Sequence, residues 1–418
     1  MNKKIKLLTT FTLIGFLFFS LNVYAGSKPP APKGFRIYPT LQIVSPTSVG
    51  IMWATYNADK GVVTVSAANG MNPSIAPAIS TYSTIHKIIV KGLKSNTRYY
   101  VQVKADGQTS NVGTFVTAPP KGSRVPIRFV VYGDTRTGHW AENLADSVGI
   151  AKYGDDDDHL AVCQSIMNQA PNFIIHVGDY AFSGVDMDKI YGFFNVERDL
   201  LSNVPLLPTY GNHEFKGGHN QENTYFSSYF IPVPVANGSF AWYSYDYANV
   251  HIITLNAGEG VFATDNFDLI KPGSPQYSFL EADLKKASTD PDIDHIFVSM
   301  HNPLYSVANF GDNKTLQNAL EPLFRQYGVK AVFTGHEHDY QHTERYGIHH
   351  VLTGGGGSPI LDLPWKGDQN DTEATLVKYD TILNYMLVDV NGHTLDCSTY
   401  KVQGNGSSAS SVFERFNL

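Results

Sequence analysis

Five short apolar runs constrain the fold of this chain most, because each ends in a small residue or methionine that is followed by side chains able to bind a metal ion. With their polar endings the runs span residues 129–134, 174–179, 208–214, 296–303 and 329–340. Short apolar runs bounded by glycine are typical of buried strands. Binding sites of open α/β sheets form beyond the carboxyl ends of the strands. The pattern therefore predicts an α/β domain with a site at its strand ends.

The polar residues at these strand ends are of the types that bind hard and borderline metal ions. They are Asp134, Asp179, Asn212, His301, His336 and His338. Carboxylate, amide and imidazole ligands without cysteine suit zinc, iron and manganese. A single His-x-His pair would more often be hydrogen-bonded structural histidines. Its combination with four similar strand endings favours a metal centre.

In the same order, these residues resemble the five motif blocks of the calcineurin-like metallophosphoesterases, and the nearest branch resembles the purple acid phosphatases. The blocks are Asp134, Asp179, Gly211-Asn212-His213-Glu214, His301 and Gly335-His336-Glu337-His338. The resemblance covers roughly residues 125 to 400. It implies a C-terminal α/β metallophosphoesterase domain, an α/β/β/α sandwich, that holds two metal ions drawn from iron, zinc and manganese.

The resemblance also implies a role for each ligand. Asp179 would bridge the two ions. Asp134 and His338 would complete the first metal site, and Asn212, His301 and His336 would complete the second. A phosphate ester would then be hydrolysed by a metal-bridging hydroxide.

Three further residues are implied to act in catalysis or in binding the substrate. His213 matches the family histidine that donates a proton to the leaving group, and we expect Glu214 to orient it. Arg136 stands where the related phosphodiesterases have a metal-binding histidine. Arginine does not ligate metals, but its planar guanidinium fits phosphate oxygens, so we expect substrate contact. A structural ion pair is the alternative for Arg136.

A second departure from the family pattern lies at Phe182, where purple acid phosphatases have the tyrosine that binds ferric iron and gives the colour. Tyr180 is close in sequence, but we expect its side chain to leave the strand end in another direction. With neither a tyrosine at position 182 nor a histidine at position 136, we expect the first metal to be held weakly.

The first 33 residues are expected to lie outside any folded domain. Residues 1–25 have three lysines, an apolar run and small residues at the cleavage positions, which is typical of a cleaved secretory signal peptide. Residues 26–33 form a Pro-rich linker. Cleavage would change the net charge from −7 to −10. So acidic a protein is a poor non-specific ligand for nucleic acid. We therefore expect a secreted or periplasmic protein without stable membrane insertion.

Residues 34–118 contain short β-type runs separated by polar or glycine-containing turns, which predicts a small all-β sandwich. The alternation of Tyr99, Val101 and Val103 and the earlier Trp53 resemble the fibronectin type III pattern, in which Tyr99 takes the position of the corner tyrosine. No cluster of catalytic residue types lies here. We expect a scaffold; binding of carbohydrate or protein is the alternative.

Residues 124–418 follow a Pro-rich boundary and alternate strands with helical stretches, as α/β domains do. The predicted helices span residues 158–169, 186–201, 276–286 and 315–327. The acidic run 155–158 is interpreted as a helix start rather than a calcium site. Cys163 and Cys397 are the only cysteines. Their placement favours separate buried thiols, although export would permit a disulfide.

The sequence therefore predicts an exported binuclear metallophosphatase that acts on small phosphate monoesters. Hydrolysis of phosphodiesters or nucleotides on the same metals is the main alternative, because loops 217–234 and 257–275 would decide which esters fit. A non-catalytic surface-binding protein would be expected to have lost metal ligands, whereas all six positions are intact. No oligomeric state is predicted.

Overall fold

The computed structural model describes residues 32–72, 74–136, 151–215, 228–232, 241–258, 270–308, 310–361 and 372–418. Within these ranges the side chains of residues 76, 77, 151–153 and 361 are not described. The predicted signal peptide, most of the linker and most of the two substrate loops lie outside the described residues. Lys33–Leu418 form one compact unit.

Strands dominate the described part of the chain. They are β1 Phe35–Val44, β2 Ser48–Asp59, β3 Val62–Ser66, β4 Ser74–Ile79, β5 Ser83–Lys91, β6 Arg98–Ala105, β7 Gln108–Thr109, β8 Gly113–Val116, β9 Ile127–Tyr132, β10 Ala151–Tyr153, β11 Phe173–His176, β12 Leu206–Pro208, β13 Tyr243–Tyr247, β14 Val250–Thr254, β15 His295–Ser299, β16 Ala331–Thr334, β17 Tyr340–Arg345, β18 Ile348–Thr353, β19 Ile360–Leu361, β20 Thr375–Asp380, β21 Leu383–Asn391, β22 Thr394–Gly404 and β23 Ser407–Asn417. The α-helices are α1 Asp156–Asn168, α2 Met187–Val196, α3 Arg198–Leu201, α4 Pro275–Ala287 and α5 Lys314–Tyr327.

Two large sheets form the centre of the C-terminal region. One has nine strands in the order β23-β22-β21-β9-β11-β12-β1-β2-β5, and the other has seven in the order β13-β14-β15-β16-β18-β17-β20. Their facing sides share one apolar core in which the ring centroids of Phe129 and Phe297 lie 5.8 Å apart. Helices α1 to α3 cover the outer face of the first sheet and α4 and α5 cover that of the second. The predicted α/β/β/α sandwich is confirmed.

The predicted N-terminal β-sandwich is also confirmed. Strands β4, β3, β6 and β7, with β8 beside β6, form a sheet that packs on β1, β2 and β5. Tyr99 is buried, and its hydroxyl accepts a hydrogen bond from the Lys94 amide at 2.9 Å, as a corner tyrosine does.

The sandwich is not separated from the catalytic region as the sequence suggested. β1 pairs in parallel with β12, with Gln42 opposite Leu206, so one sheet runs through both parts. The Gln42 side chain strengthens this junction: its amide nitrogen donates to the carbonyl of Tyr229 at 2.9 Å, and its oxygen accepts from the Ile231 amide at 2.7 Å. Residues 119–123 therefore link two parts of a continuous sheet.

The helices largely match their predictions. Asp155 caps α1 by accepting from the Asp158 amide at 2.8 Å, which supports the helix-start interpretation of the acidic run. The predicted helix 186–201 is divided at Glu197 into α2 and α3. The Glu197 carboxylate is buried and accepts hydrogen bonds from Tyr132 and His159. Its side chain therefore points into the core at the place where one continuous helix had been expected.

Cys163 and Cys397 are both buried free thiols, as the favoured interpretation predicted. Among the described residues, no helix combines the length and the apolar composition needed to cross a bilayer.

Candidate metal centre

The strand endings meet at one edge of the two sheets. β9, β11 and β12 run parallel in one sheet, and β15 and β16 run parallel in the other. Each is followed within a few residues by predicted ligands, which here lie beyond the carboxyl ends. The predicted ligands that are buried are Asp134, Asp179, Asn212, His301 and His336. The sequence prediction that all these blocks form one site is therefore consistent with the geometry.

Three of the ligands adopt a strained backbone. Asp134, Asp179 and His336 have φ values of 57°, 60° and 77°, in the left-handed region that side chains with a Cβ rarely adopt. Each such residue costs roughly 1–2 kcal/mol. Neighbouring glycines permit the close approach: a Cβ on Gly211 would lie 2.3 Å from Asp179 Oδ1, and one on Gly335 would lie 2.1 Å from Asp134 Oδ2. The fold thus maintains strain where the ligands converge.

The residues predicted for the second metal site lie close together. Asn212 Oδ1 lies 2.9 Å from His301 Nε2 and 3.0 Å from His336 Nδ1. His301 Nε2 is 3.3 Å from Asp179 Oδ1. His301 Nδ1 is 2.8 Å from the Val177 carbonyl and donates to it, so Nε2 faces the other ligands and could bind a metal ion when it carries no proton. Acceptor atoms that face one another in this way fit a cation between them.

The electrostatic environment of these ligands also favours a cation. Burial alone would lower the pKa of His301, but the carboxylates of Asp179 and Asp134 raise it to about 9. Burial alone would raise the pKa of Asp179, but the charges of His301 and His213 hold it well below its usual range. Burial, opposed by His301, raises the pKa of Asp134 well above its usual range. The negative potential that protonates His301 is one that also attracts metal ions.

The residues predicted for the first metal site include a positively charged side chain among them, that of Arg136. His338 Nδ1 donates to the Pro359 carbonyl at 2.9 Å, so Nε2 faces Asp134 Oδ1 at 3.8 Å. Arg136 lies among these ligands: its terminal nitrogen is 3.0 Å from His338 Nε2, and its Nε is 3.3 Å from Asp179 Oδ2. The carboxylates and the imidazole fit a metal ion, and the arginine contacts two of them.

His213 has its ring at the edge of this group. Its Nδ1 donates to the Phe182 carbonyl at 2.6 Å, and its Nε2 lies 3.8 Å from Asp179 Oδ2. The expectation that Glu214 orients this ring is therefore replaced: the contact that fixes the tautomer comes from a backbone carbonyl. No sequence pattern identified that carbonyl, because every residue has one.

Glu214 instead ties two ligand loops together. Its buried carboxylate accepts from the amides of Gly211 at 2.7 Å, Asp179 at 2.9 Å and Tyr180 at 3.0 Å. It therefore positions the bridging carboxylate and the loop of Asn212. Tyr180 points away from the centre as expected, since its hydroxyl accepts from the Thr209 amide at 3.1 Å.

Two further features support the ligands. Glu337, between the two predicted histidine ligands, accepts from Ser306 Oγ at 3.0 Å and from the Phe310 amide at 2.8 Å. Four glycines, residues 354–357, follow β18, and Ser358 next to them donates its amide to the Asp134 carbonyl at 2.8 Å. Sequence reasoning missed Ser358 and Pro359, whose contributions are made by backbone atoms.

Similarity to known proteins extends over both parts of the chain. Residues 127–340 match the calcineurin-like phosphoesterase family model, and residues 35–117 match the model of the purple acid phosphatase N-terminal domain. An uncharacterized protein of Mycobacterium tuberculosis is 30% identical over 270 residues, which are 60% of this chain and 49% of that protein. Purple acid phosphatase 21 of Arabidopsis thaliana is 28% identical over 264 residues, which are 62% of this chain and 53% of the relative. The chain thus spans about half the length of these curated relatives.

Solved structures support the fold. Purple acid phosphatase PPD1 from yellow lupin (Lupinus luteus) seeds superposes with a TM-score of 0.69 at 19% identity, covering 91% of this chain and 74% of that one. The structure of PhoD gives a TM-score of 0.66 at 11% identity, covering 94% and 91%. The first family model alone spans more than half of the 418 residues. The chain belongs to the calcineurin-like phosphoesterase family and carries a purple acid phosphatase N-terminal domain.

Proposed function

We propose that this protein is a binuclear metal-dependent phosphatase that hydrolyses phosphate monoesters. The observation that carries the proposal is the convergence of six ligand side chains from five strand ends at one buried edge. They are Asp134, Asp179, Asn212, His301, His336 and His338. Membership of the phosphoesterase family and the likeness to purple acid phosphatases support it.

The ligand set supports two ions of iron, zinc or manganese, with Asp179 able to offer one oxygen to each. Asp179 Oδ1 faces His301 and Oδ2 faces Arg136 and His213, so its two oxygens address the two halves of the centre. When bound, the ions would supply the Lewis acid that activates a water molecule and offsets the charge of the phosphoryl oxygens. Hydrolysis then needs a proton for the leaving oxygen.

His213 is the proposed donor of that proton. Its Nδ1–H is committed to the Phe182 carbonyl, so the proton available for donation is the one that Nε2, which faces the centre, carries in the imidazolium form. As the P–O bond breaks, the leaving oxygen takes the electron pair and accepts the Nε2 proton, while the attacking water supplies the new P–O bond and releases a proton. The imidazole is suited to this exchange near neutral pH.

The proposed substrate class is tested by the ratio of kcat/KM for an aryl phosphate monoester to that for the matched diester, with zinc, manganese and iron supplied in turn. A ratio well above one supports the phosphatase, and a ratio well below one assigns the protein to phosphodiester hydrolysis. The double variant Asn212→Ala, His336→Ala is expected to be inactive but folded. Undiminished activity in it would refute the metal assignment, and the exposed Glu281→Gln serves as the control variant.

We also propose that the protein is exported, on the strength of residues 1–25 alone, and that the acidic mature chain acts on small esters rather than on nucleic acid. The N-terminal sequence of protein recovered from the medium or periplasm tests the export: cleavage after residue 25 is expected, and an intact leader on all recovered protein contradicts it.

A further inference from the structure

The position of Arg136 bears on how the centre takes up metal. Its side chain is 15% exposed and lies between the bridging carboxylate and the terminal ligand of the first site. The backbone beneath it is fixed, because its carbonyl accepts from Ser358 Oγ at 3.2 Å. The guanidinium carbon is 5.6 Å from the centroid of the Phe182 ring. The guanidinium is thus packed into the ligand cluster.

The contact with His338 uses the lone pair that a metal ion needs. Since Nδ1 carries the proton donated to Pro359, Nε2 is the unprotonated nitrogen and accepts from Arg136. One lone pair serves either a guanidinium N–H or a metal ion. Arg136 and the first metal therefore exclude each other at this nitrogen.

The positive charge of Arg136 also opposes the binding of a metal ion at the first site. The guanidinium lies 3.3 Å from Asp179 Oδ2, the oxygen that faces the first site. A fixed positive charge a few ångströms from the metal position opposes binding of a further cation. The ligands predicted for the second site alone contact one another instead: Asn212 Oδ1 lies 2.9 Å from His301 Nε2 and 3.0 Å from His336 Nδ1.

We propose that Arg136 is a built-in competitor for the first metal, so that the two sites of the proposed centre fill with unequal affinity. The second site binds its ion tightly, and the first fills only when the guanidinium leaves His338 and Asp179. Once displaced, the guanidinium needs another anionic partner, and phosphoryl oxygens of a substrate have the matching geometry. The inference rests on the proposed binuclear function and adds an order of metal loading to it.

Metal stoichiometry and affinity test the inference without reference to activity. Metal-free full-length protein is titrated with zinc against a chromophoric chelator, and bound metal is counted by plasma mass spectrometry. The wild type is expected to show one tight and one weak site. Arg136→Gln, which removes the charge, is expected to tighten the weak site at least tenfold and leave the tight site unchanged. The exposed Arg198→Gln is the control for loss of a remote arginine.

Two results would overturn the inference: two equally tight sites in the wild type, or a weak-site affinity in Arg136→Gln within twofold of the wild type. If Arg136→Gln does not fold, Arg136→Lys replaces it, because a lysine keeps the charge but cannot span both partners with a planar fork; tightening of a few-fold is then expected, and none contradicts the inference. A wild type that binds no metal refutes the proposed function itself, whereas an active enzyme with two equal sites refutes only the role of Arg136.

Discussion

Replacement of Glu214 tests whether a single buried carboxylate holds the two central ligand loops together. It is 2% exposed and accepts three backbone hydrogen bonds, from Gly211, Asp179 and Tyr180, at 2.7–3.0 Å. Leaving a buried donor without a partner costs about 1–3 kcal/mol. Glu214→Ala leaves all three amides without a partner, so we expect the free energy of unfolding to fall by about 3–6 kcal/mol. The upper limit is set below three full penalties because water that enters the space left by the side chain can bond to some of the amides.

The conservative variant separates the contacts. Glu214→Gln keeps one side-chain oxygen, which can accept from the two amides now bound to Oε2, those of Asp179 and Gly211. Its NH₂ group would face the Tyr180 amide, and two donors cannot form a hydrogen bond. We therefore expect a loss of about 1–3 kcal/mol, less than for alanine.

The assay is urea unfolding of metal-free protein followed by circular dichroism. Burial and the neighbouring Asp179 raise the pKa of Glu214 to about 7, so the measurement is made at pH 8, where the carboxylate is ionised. Glu281→Gln, an exposed change of the same chemistry, is the control. A loss below about 1 kcal/mol in Glu214→Ala would refute the reasoning, because it would mean that the amides find other partners.

Three other predictions follow from local contacts. Burial alone would lower the pKa of His251, but Asp246 and Asp283 raise it to about 9. The protonated ring therefore stabilises the fold by up to about 3 kcal/mol below pH 6.5, and this stabilisation is lost as the pH rises through 9. The thermal stability of His251→Asn should lack that decline with pH. Tyr99→Phe should cost about 1–2 kcal/mol in urea unfolding, because it orphans the amide bound by the corner hydroxyl, and an unchanged midpoint would contradict this. His213→Gln should lower kcat for alkyl phosphates by about 10²–10⁴ but much less for aryl phosphates with good leaving groups; equal losses on both would exclude proton donation.

Sequence reasoning succeeded where local pattern determines structure. The run before Asp134 and the glycine before His336 are readable as a strand end and a sharp turn, and both hold in the structure. The helix start at Asp155 was readable for the same reason, since capping depends on neighbours in sequence.

It failed where the partner is distant in sequence. The contact between Arg136 and His338 joins residues 202 positions apart, and neither residue type announces the other. The pairing of β1 with β12 is of the same kind: a strand of the sandwich has no sequence mark that names its neighbour. Glu214 was assigned to His213 because they are adjacent, whereas its partners are amides that only the folded chain brings near.

The pairing of β1 with β12 also limits how this protein can be divided. A chain beginning at residue 124 would leave β12 with one side unpaired, and unpaired strand edges recruit other chains. Such a fragment would also lose the Gln42 amide that holds the backbone at residues 229 and 231. Because β12 leads directly into the loop of Asn212, removing β1 would also loosen the loop that carries this predicted ligand.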